Sequence, residues 1–513
     1  MKLKQPMFTK GWFTAILFFY SFSGVTQSVR FSDFYDLNQG AGGFVDVALV
    51  DNERLIAVGS VLNLSDNVNF YNGFHVVVNL NGNQLASQGF NPIGMNYNTR
   101  SVIQSTFSQA TFSGGYFCDF TVESPGYCDF FFSRINSNTG DTTFTRIIQR
   151  TDTADVFLNM VETRPNKVML IGWTYDDTTN TDADLLFITI DTLGNELNSV
   201  VYGGGGTDYV HSGTIINEQG EVMMTGGTKS FAGGDYDTWV LKTDSIGNVQ
   251  WQQTYNHLSP SGGDGGTKLI PTVDGNFVVV GAYDDLSIPA SYAFMMKIDP
   301  DGNEIWTKRY EDEFSQGFWA CEGLSDGSIV AVGQTSNTGE GSQGQGGWIV
   351  KTDSNGDTLW TRTYNPSSSS DLFRNMLVMP NGDIVAVGFG RGENSTTQDG
   401  WILRVDSMGC LEEGCWTVGI EELEEETRYF KAYPNPFTNN TTIEYDLGKE
   451  CELGCQLRLY DLQGRIVLQE LLYSDNGKGS FVVDMSQYGN GVYYCSLYGD
   501  KQLLQTEKLI LLK

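Results

Sequence analysis

The stretch GGWIVKTDSNGDTLWTRTY, residues 346–364, decides the fold through the way it recurs. Taken alone it permits a metal loop, a cofactor dock or a piece of scaffold. Copies occur as Trp239-VLKTDSIGNVQ-Trp251-QQT-Tyr255 and Phe294-MMKIDPDGNEI-Trp306-TKR-Tyr310. Looser copies begin at Val76, Phe131, Phe187 and Trp401. Each follows a second signature, a turn and then a β-branched run closed by glycine, as in DGNFVVVG (274–281), DGSIVAVG (326–333) and NGDIVAVG (381–388). The closing glycines are Gly59, Gly114, Gly172, Gly226, Gly281, Gly333 and Gly388, spaced by 55, 58, 54, 55, 52 and 55 residues. Such regularity marks a repeat architecture.

Within one period, residues 317–364 read as four strands: GFWACEGL, SIVAVGQ, WIVKTD and DTLWTRTY, joined by Asp-Gly and Asn-Gly turns. Alternating apolar residues around such turns are a strong hairpin signal. A four-stranded antiparallel unit at this period is a propeller blade. The expected fold class is therefore all-β, a seven-bladed β-propeller. In the seventh repeat the fourth strand degenerates into CLEEGCW. Phe31 and Tyr35 stand in the phase of Trp306 and Tyr310, so the N-terminal segment is expected to close the last blade as its outer strand, removing an exposed edge.

Composition narrows the partners. The 31 Lys+Arg against 62 Asp+Glu give a net charge of −31, which argues against nucleic acid and anionic lipid surfaces. Residues 1–27 have the layout of a signal peptide: Lys2, Lys4 and Lys10 precede an apolar run from Trp12 to Phe22 that is too short for a membrane span. Eight cysteines in an exported chain permit disulfides. Cys118 with Cys128, Cys410 with Cys415 and Cys451 with Cys455 are candidate pairs, leaving Cys321 and Cys495. Three histidines and no CxxC argue against a zinc site.

After an acidic linker at 419–429 come YPNPF (433–437), TTIEYDL, LRLYDLQGRIVLQE, Gly491-Val-Tyr493 and the closing KLILLK. Residues 430–513 resemble the type A C-terminal sorting domain of the type IX secretion system. The resemblance rests on Tyr433, Pro434, Asn435, Pro436, Phe437, Gly464, Gly491, Tyr493, Lys508 and Lys513 taken together. It implies a small β-sandwich, recognition by the type IX machinery, and delivery to the cell surface or the extracellular space. The alternation in TTIEYDL independently predicts strands. Residues 28–418 resemble the DGG-x-x-V-x-G repeats of secreted propeller proteins, which fixes architecture and implies no activity.

The chemical readings of the opening stretch compete poorly with scaffold. An EF-type loop needs glycine at the sixth position between helices, whereas here glycine is fourth and strands flank it. A hairpin turn accounts for all copies, so no cofactor is required and calcium is the one metal left open. The stretch also resembles quinoprotein docking motifs in its Gly356-x-x-x-Trp360 spacing, but that phase is lost in the first three and last repeats. Trp239, Trp348 and Trp401 alternate with aliphatic residues and are expected between blades.

Function is expected where the repeat breaks, in loops on one face of the disc. These carry Tyr175, Asp177, Asp235, Tyr236, Asp237, Tyr283, Asp284, Asp285 and Tyr292. Carboxylates beside aromatics suit hydroxyl hydrogen bonds and ring stacking, so the expected function is binding of an extracellular glycan or protein. The alternatives are a polysaccharide-active enzyme using Asp177, Asp237 and Asp285, and a purely structural surface component. No nucleophile elbow, HExxH or Walker loop is present.

Overall fold

The computed structural model describes residues 29–35, 40–63, 70–90, 96–119, 127–150, 153–175, 182–256, 262–285, 290–310, 315–336, 344–366, 370–392, 395, 397–412, 415, 430–446, 455–461, 465–472, 478–498 and 503–513. The expected signal peptide, the acidic linker, Asp177, Cys451 and Gly464 lie outside these residues. Two compact units result, Met1–Glu413 and Gly414–Lys513.

The first unit is all-β, with seven four-stranded antiparallel sheets among the described residues. Six consist of consecutive strands within 41–90, 96–148, 154–202, 208–255, 264–310 and 316–364. The seventh joins three strands within 372–405 to the strand Phe31–Tyr35, where Phe31 faces Arg404 and Tyr35 faces Gly400. Apolar clusters link each sheet to the next. Val58 and Val102 join sheets 1 and 2, Phe130 and Phe157 sheets 2 and 3, and Phe187 and Trp239 sheets 3 and 4. Tyr255 and Phe294 join sheets 4 and 5, Met295 and Trp348 sheets 5 and 6, and Ile349 and Trp401 sheets 6 and 7. A last cluster returns from Val387 and Ile402 of sheet 7 to Phe44 and Val76 of sheet 1.

The N-terminal strand takes over the contacts a fourth strand makes elsewhere. In sheets 4 and 6 the third-strand indole donates to the fourth strand, Trp239 Nε1 to Gln252 Oε1 at 2.8 Å and Trp348 Nε1 to Thr361 Oγ1 at 2.7 Å. In sheet 7 Trp401 Nε1 donates to Ser32 Oγ at 3.0 Å. Ser32 follows Phe31 as Thr361 follows Trp360 and Gln252 follows Trp251.

The DSNG segment is a hairpin turn. Gly356 has φ +79°, a conformation open to glycine at little cost. Asp353 Oδ1 accepts from the N–H groups of Asn355 (2.8 Å) and Asp357 (3.0 Å), so its carboxylate serves its own backbone. Asp191, Asp244, Asp299 and Asp406 repeat the pattern. Each turn then docks on the sheet before it. Tyr310 Oη donates to Gly356 O at 2.9 Å, and Trp306 packs so close to Gly356 that a Cβ there would sit 2.9 Å from the indole. The same lock joins Tyr255 to Gly302, Tyr364 to Gly409 and Tyr35 to Gly82. The W-x-x-x-Y spacing of the sequence is thus an inter-sheet fastening.

The second unit has a three-stranded sheet (Phe430–Tyr433, Asn440–Asp446, Lys478–Asp484) and a four-stranded one (Ile466–Leu472, Cys455–Tyr460, Gly491–Tyr498, Leu503–Leu511). One core holds Phe430, Phe437, Ile443 and Val483 of the first segment set with Leu457, Leu459, Leu497 and Leu509 of the second. The two ends of the sorting motif meet here. Asn435 Nδ2 donates to Lys508 O at 2.6 Å and its Oδ1 accepts from Ile510 N at 2.9 Å, between two cis peptide bonds at Pro434 and Pro436. Lys513 Nζ donates to Tyr488 O at 2.7 Å, and Tyr493 Oη donates to Gly489 O at 2.8 Å.

Cys118 and Cys128 face each other across neighbouring strands and form a disulfide, Cα–Cα 4.1 Å. Cys410, Cys415 and Cys455 are disulfide-bonded, while Cys321 and Cys495 are buried free thiols. Among the described residues no helix is long and apolar enough to cross a membrane, and no group of three or more His, Cys, Asp or Glu is placed to hold a metal ion.

Candidate functional site

The glycine that closes each β-branched run builds the site. In every sheet the first strand carries a β-bulge opposite that glycine: Phe44 pairs with Gly59 and Asp46 with Val58, leaving Val45 extra. A bulge pushes the first strand's backbone against the second and re-aims the extra side chain. A Cβ on Gly59 would meet Gly43 O at 1.9 Å, and the same collision recurs at Gly226, Gly333 and Gly388. In sheet 2 the glycine at this position is Gly115, which faces Thr99 and would strike Asn98 O, and not Gly114. The repeat glycine is therefore required by the close approach of two backbones.

All the bulged residues border one cavity of about 740 Å³. They are Val45, Arg100 and Leu158 in sheets 1 to 3, and His211, Thr267, Trp319 and Arg374 in sheets 4 to 7. Residues just after the glycines, Ser60, Tyr116, Trp173 and Phe389, complete the wall with Asn98, Asn159, Lys268 and Asn375. Leu62, Tyr71 and Gln398 border it where second strands end and third strands begin, so the mouth lies on the face that carries those connecting loops.

The repeat keeps its backbone at these positions and abandons its chemistry. Arg374 Cζ lies 3.9 Å from the Trp319 ring centroid, and Arg100 Cζ lies 5.7 Å from that of Tyr116. A cation over a ring face is attracted by the ring's quadrupole, and such a contact uses none of the guanidinium's N–H donors. Neither arginine, nor Lys268, forms a salt bridge among the described residues, and Arg100 Nε is buried without a hydrogen-bond partner. Burial, reinforced by the Arg100 charge, lowers Arg374 to about 10. Burial followed by both guanidinium charges lowers His211 to about 4, so its imidazole is neutral at physiological pH. Asp46 is the one carboxylate on the wall among the described residues. It is committed to four hydrogen bonds, from Val47 N, Val102 N, Ser101 Oγ and Asn375 Nδ2. Burial raises Asp46, and it also raises Glu322, the other acid near Lys268.

The residues expected from sequence fall in three places. Tyr283 and Tyr292 face each other across a strand pair, centroids 5.6 Å apart, and are buried in the core between sheets 4 and 5, so they are packing groups. Asp235, Asp237 and Asp284 lie on the loop face: Asp235 and Asp284 are exposed, Asp237 is half-buried with its carboxyl raised by burial, and Asp284 accepts from Ser291 Oγ at 2.6 Å. Tyr175 ends a strand opposite Ala154, and Asp285 ends one opposite Ala290. Tyr236 connects to the cavity through a run of edge-on rings: Tyr236 to Tyr209 (5.2 Å), Tyr209 to His211 (5.1 Å) and His211 to Trp319 (6.2 Å). Sequence reasoning placed the variable residues on loops and passed over Arg100, His211, Trp319 and Arg374. The signal that finds them is the residue facing the repeat glycine, one position further on.

Comparison with known proteins identifies the C-terminal segment. A family model described as a secretion system C-terminal sorting domain matches residues 431–512. The C-terminal unit carries a secretion sorting domain. The match agrees with the landmarks Tyr433–Phe437 and Lys508–Lys513, and such a domain marks proteins sent by the type IX system to the cell surface or the extracellular space. No curated protein matches the chain. Among solved structures, similarity is found to an α-L-arabinanase of Penicillium chrysogenum, at 10% identity over 74% of this chain and 97% of that one, TM-score 0.40. Others are a GH93 α-L-arabinofuranosidase of Fusarium graminearum (11%, 74% and 97%, TM-score 0.42) and Sqt1 from Chaetomium thermophilum (11%, 71% and 86%, TM-score 0.41). Likeness at this level carries no argument about activity.

Proposed function

We propose that this protein is an exported seven-bladed β-propeller, closed by Phe31–Tyr35, that binds an extracellular glycan or protein ligand in its axial cavity. In this reading residues 1–27 are the signal peptide, 28–418 the propeller, 419–429 a linker and 430–513 a β-sandwich that engages the secretion machinery. The observation that carries it is the set of seven bulged residues. Scaffold positions in this chain repeat their residue type, whereas these seven positions hold six residue types and converge on one cavity. A cavity of this volume lined by aromatics and a few polar groups has the character of a ligand site. The glycosidase alternative needs two carboxylates about the substrate. The cavity wall supplies Asp46 alone among the described residues, and its oxygens are already engaged. The ring contacts that run from Tyr236 support a ligand that enters from the loop face. Screening the purified full chain on a glycan array, beside a Trp319→Ala variant, tests the proposal. Binding that depends on Trp319 supports it, and binding indifferent to that substitution places the site elsewhere.

A further inference from the structure

The cavity holds more positive charge than the protein around it balances. Arg100, Arg374 and Lys268 enter it from sheets 2, 7 and 5 of a chain whose net charge is −31. With 62 acidic residues available, pairing these three would be easy, yet none has a salt bridge among the described residues. The acids near Lys268, Asp46 and Glu322, are buried, and Asp46 accepts hydrogen bonds from neutral donors. Leaving like charges together and partly desolvated is unfavourable, and an entering anion reverses that cost. The guanidinium of Arg374 lies over the Trp319 ring and that of Arg100 over Tyr116, and a guanidinium offers a planar fork suited to two oxygens of one oxyanion.

The remainder of the wall is suited to hydroxyls and ring faces. Asn98 offers a donor and an acceptor, Asn159 offers its Nδ2 donor while its Oδ1 accepts from Gly213 N at 3.2 Å, and His211 is a neutral imidazole able to donate or accept. Trp173 adds an aromatic group on the same wall. Resting on the binding function proposed above, we infer that the cavity recognises an acidic saccharide, a sugar bearing a carboxylate or a sulfate ester, with its anionic group held between Arg100 and Arg374.

Calorimetric titration of the full chain with a galacturonate tetramer, a sulfated galactan tetramer and a neutral galactan tetramer tests the inference and separates the two anion sources. Binding of either acidic probe, with the neutral one at least about tenfold weaker, is the expected result. Arg374→Met and Arg100→Gln should each weaken the acidic probe by about tenfold or more. Thermal melting of both variants checks that they fold. Should Arg374→Met fail to fold, the decline of wild-type affinity between low and high salt gives the same information. Equal affinity for the neutral probe, lost in Trp319→Ala, would leave the axial site standing and overturn the acidic class. Binding of an acidic probe that neither arginine variant alters would overturn the inference as well.

Discussion

At the scale of single residues, burial sets the chemistry more than sequence neighbours do. His75 shows this outside the cavity. Its Nδ1 lies 3.1 Å from Gly140 O, and burial lowers it to about 4 from an ordinary 6.5, against the opposing effect of that carbonyl. Between those values the unfolded chain takes up a proton that the folded chain refuses. The contribution of this residue to stability is therefore complete above pH 6.5 and is lost as pH falls towards 4. Full expression of the shift amounts to about 3 kcal/mol. A His75→Gln variant should lose correspondingly less stability than the wild type between pH 6.5 and 4, as read by urea unfolding at each pH. Buried acids such as Asp129, raised to about 6 by desolvation, act in the opposite sense but are common to both proteins. Parallel pH profiles would show that His75 titrates normally.

Among the elements, the hairpin turn and the outer strand form one device. The sequence already showed the turn, because Asp-x-x-Gly recurs with strands on both sides. It showed the strand, because Trp or Phe and then Tyr recur four positions apart. The partnership between them was not legible, since it joins residues 45 to 47 positions apart in neighbouring sheets. Tyr310→Phe removes one such bond and leaves Gly356 O without that donor, which should cost about 1 kcal/mol. Its melting temperature should fall while ligand binding stays unchanged, because Tyr310 does not border the cavity. The bulges were hidden for a related reason. A bulge adds a residue without disturbing the apolar run that identifies a strand, so periodicity cannot see it. Its one trace is the glycine opposite, and in sheet 2 two adjacent glycines made even that trace ambiguous.

At the scale of the whole chain, the first described residues complete a sheet whose other strands lie near the end of the first unit, Phe31–Tyr35 pairing with Asp399–Val405. The degeneration of the seventh repeat into CLEEGCW and the phase of Phe31 and Tyr35 made this pairing legible in sequence. Removing 29–35 would strip Trp401 of its Ser32 partner and of the stacked Phe34 ring at 5.8 Å, and uncover the edge of Asp399–Val405. A chain so shortened should melt lower and self-associate by light scattering. A monomer of unchanged stability would show that the strand is dispensable. The exported location was legible because the sorting motif is contiguous. The proposed ligand site was not, because its residues come one from each sheet across most of the chain. A crystal structure of the protein with a bound acidic oligosaccharide tests the account most directly. It predicts the carboxylate or sulfate between Arg100 and Arg374 with the sugar beside Trp319, and a ligand seated outside the axial cavity would contradict it.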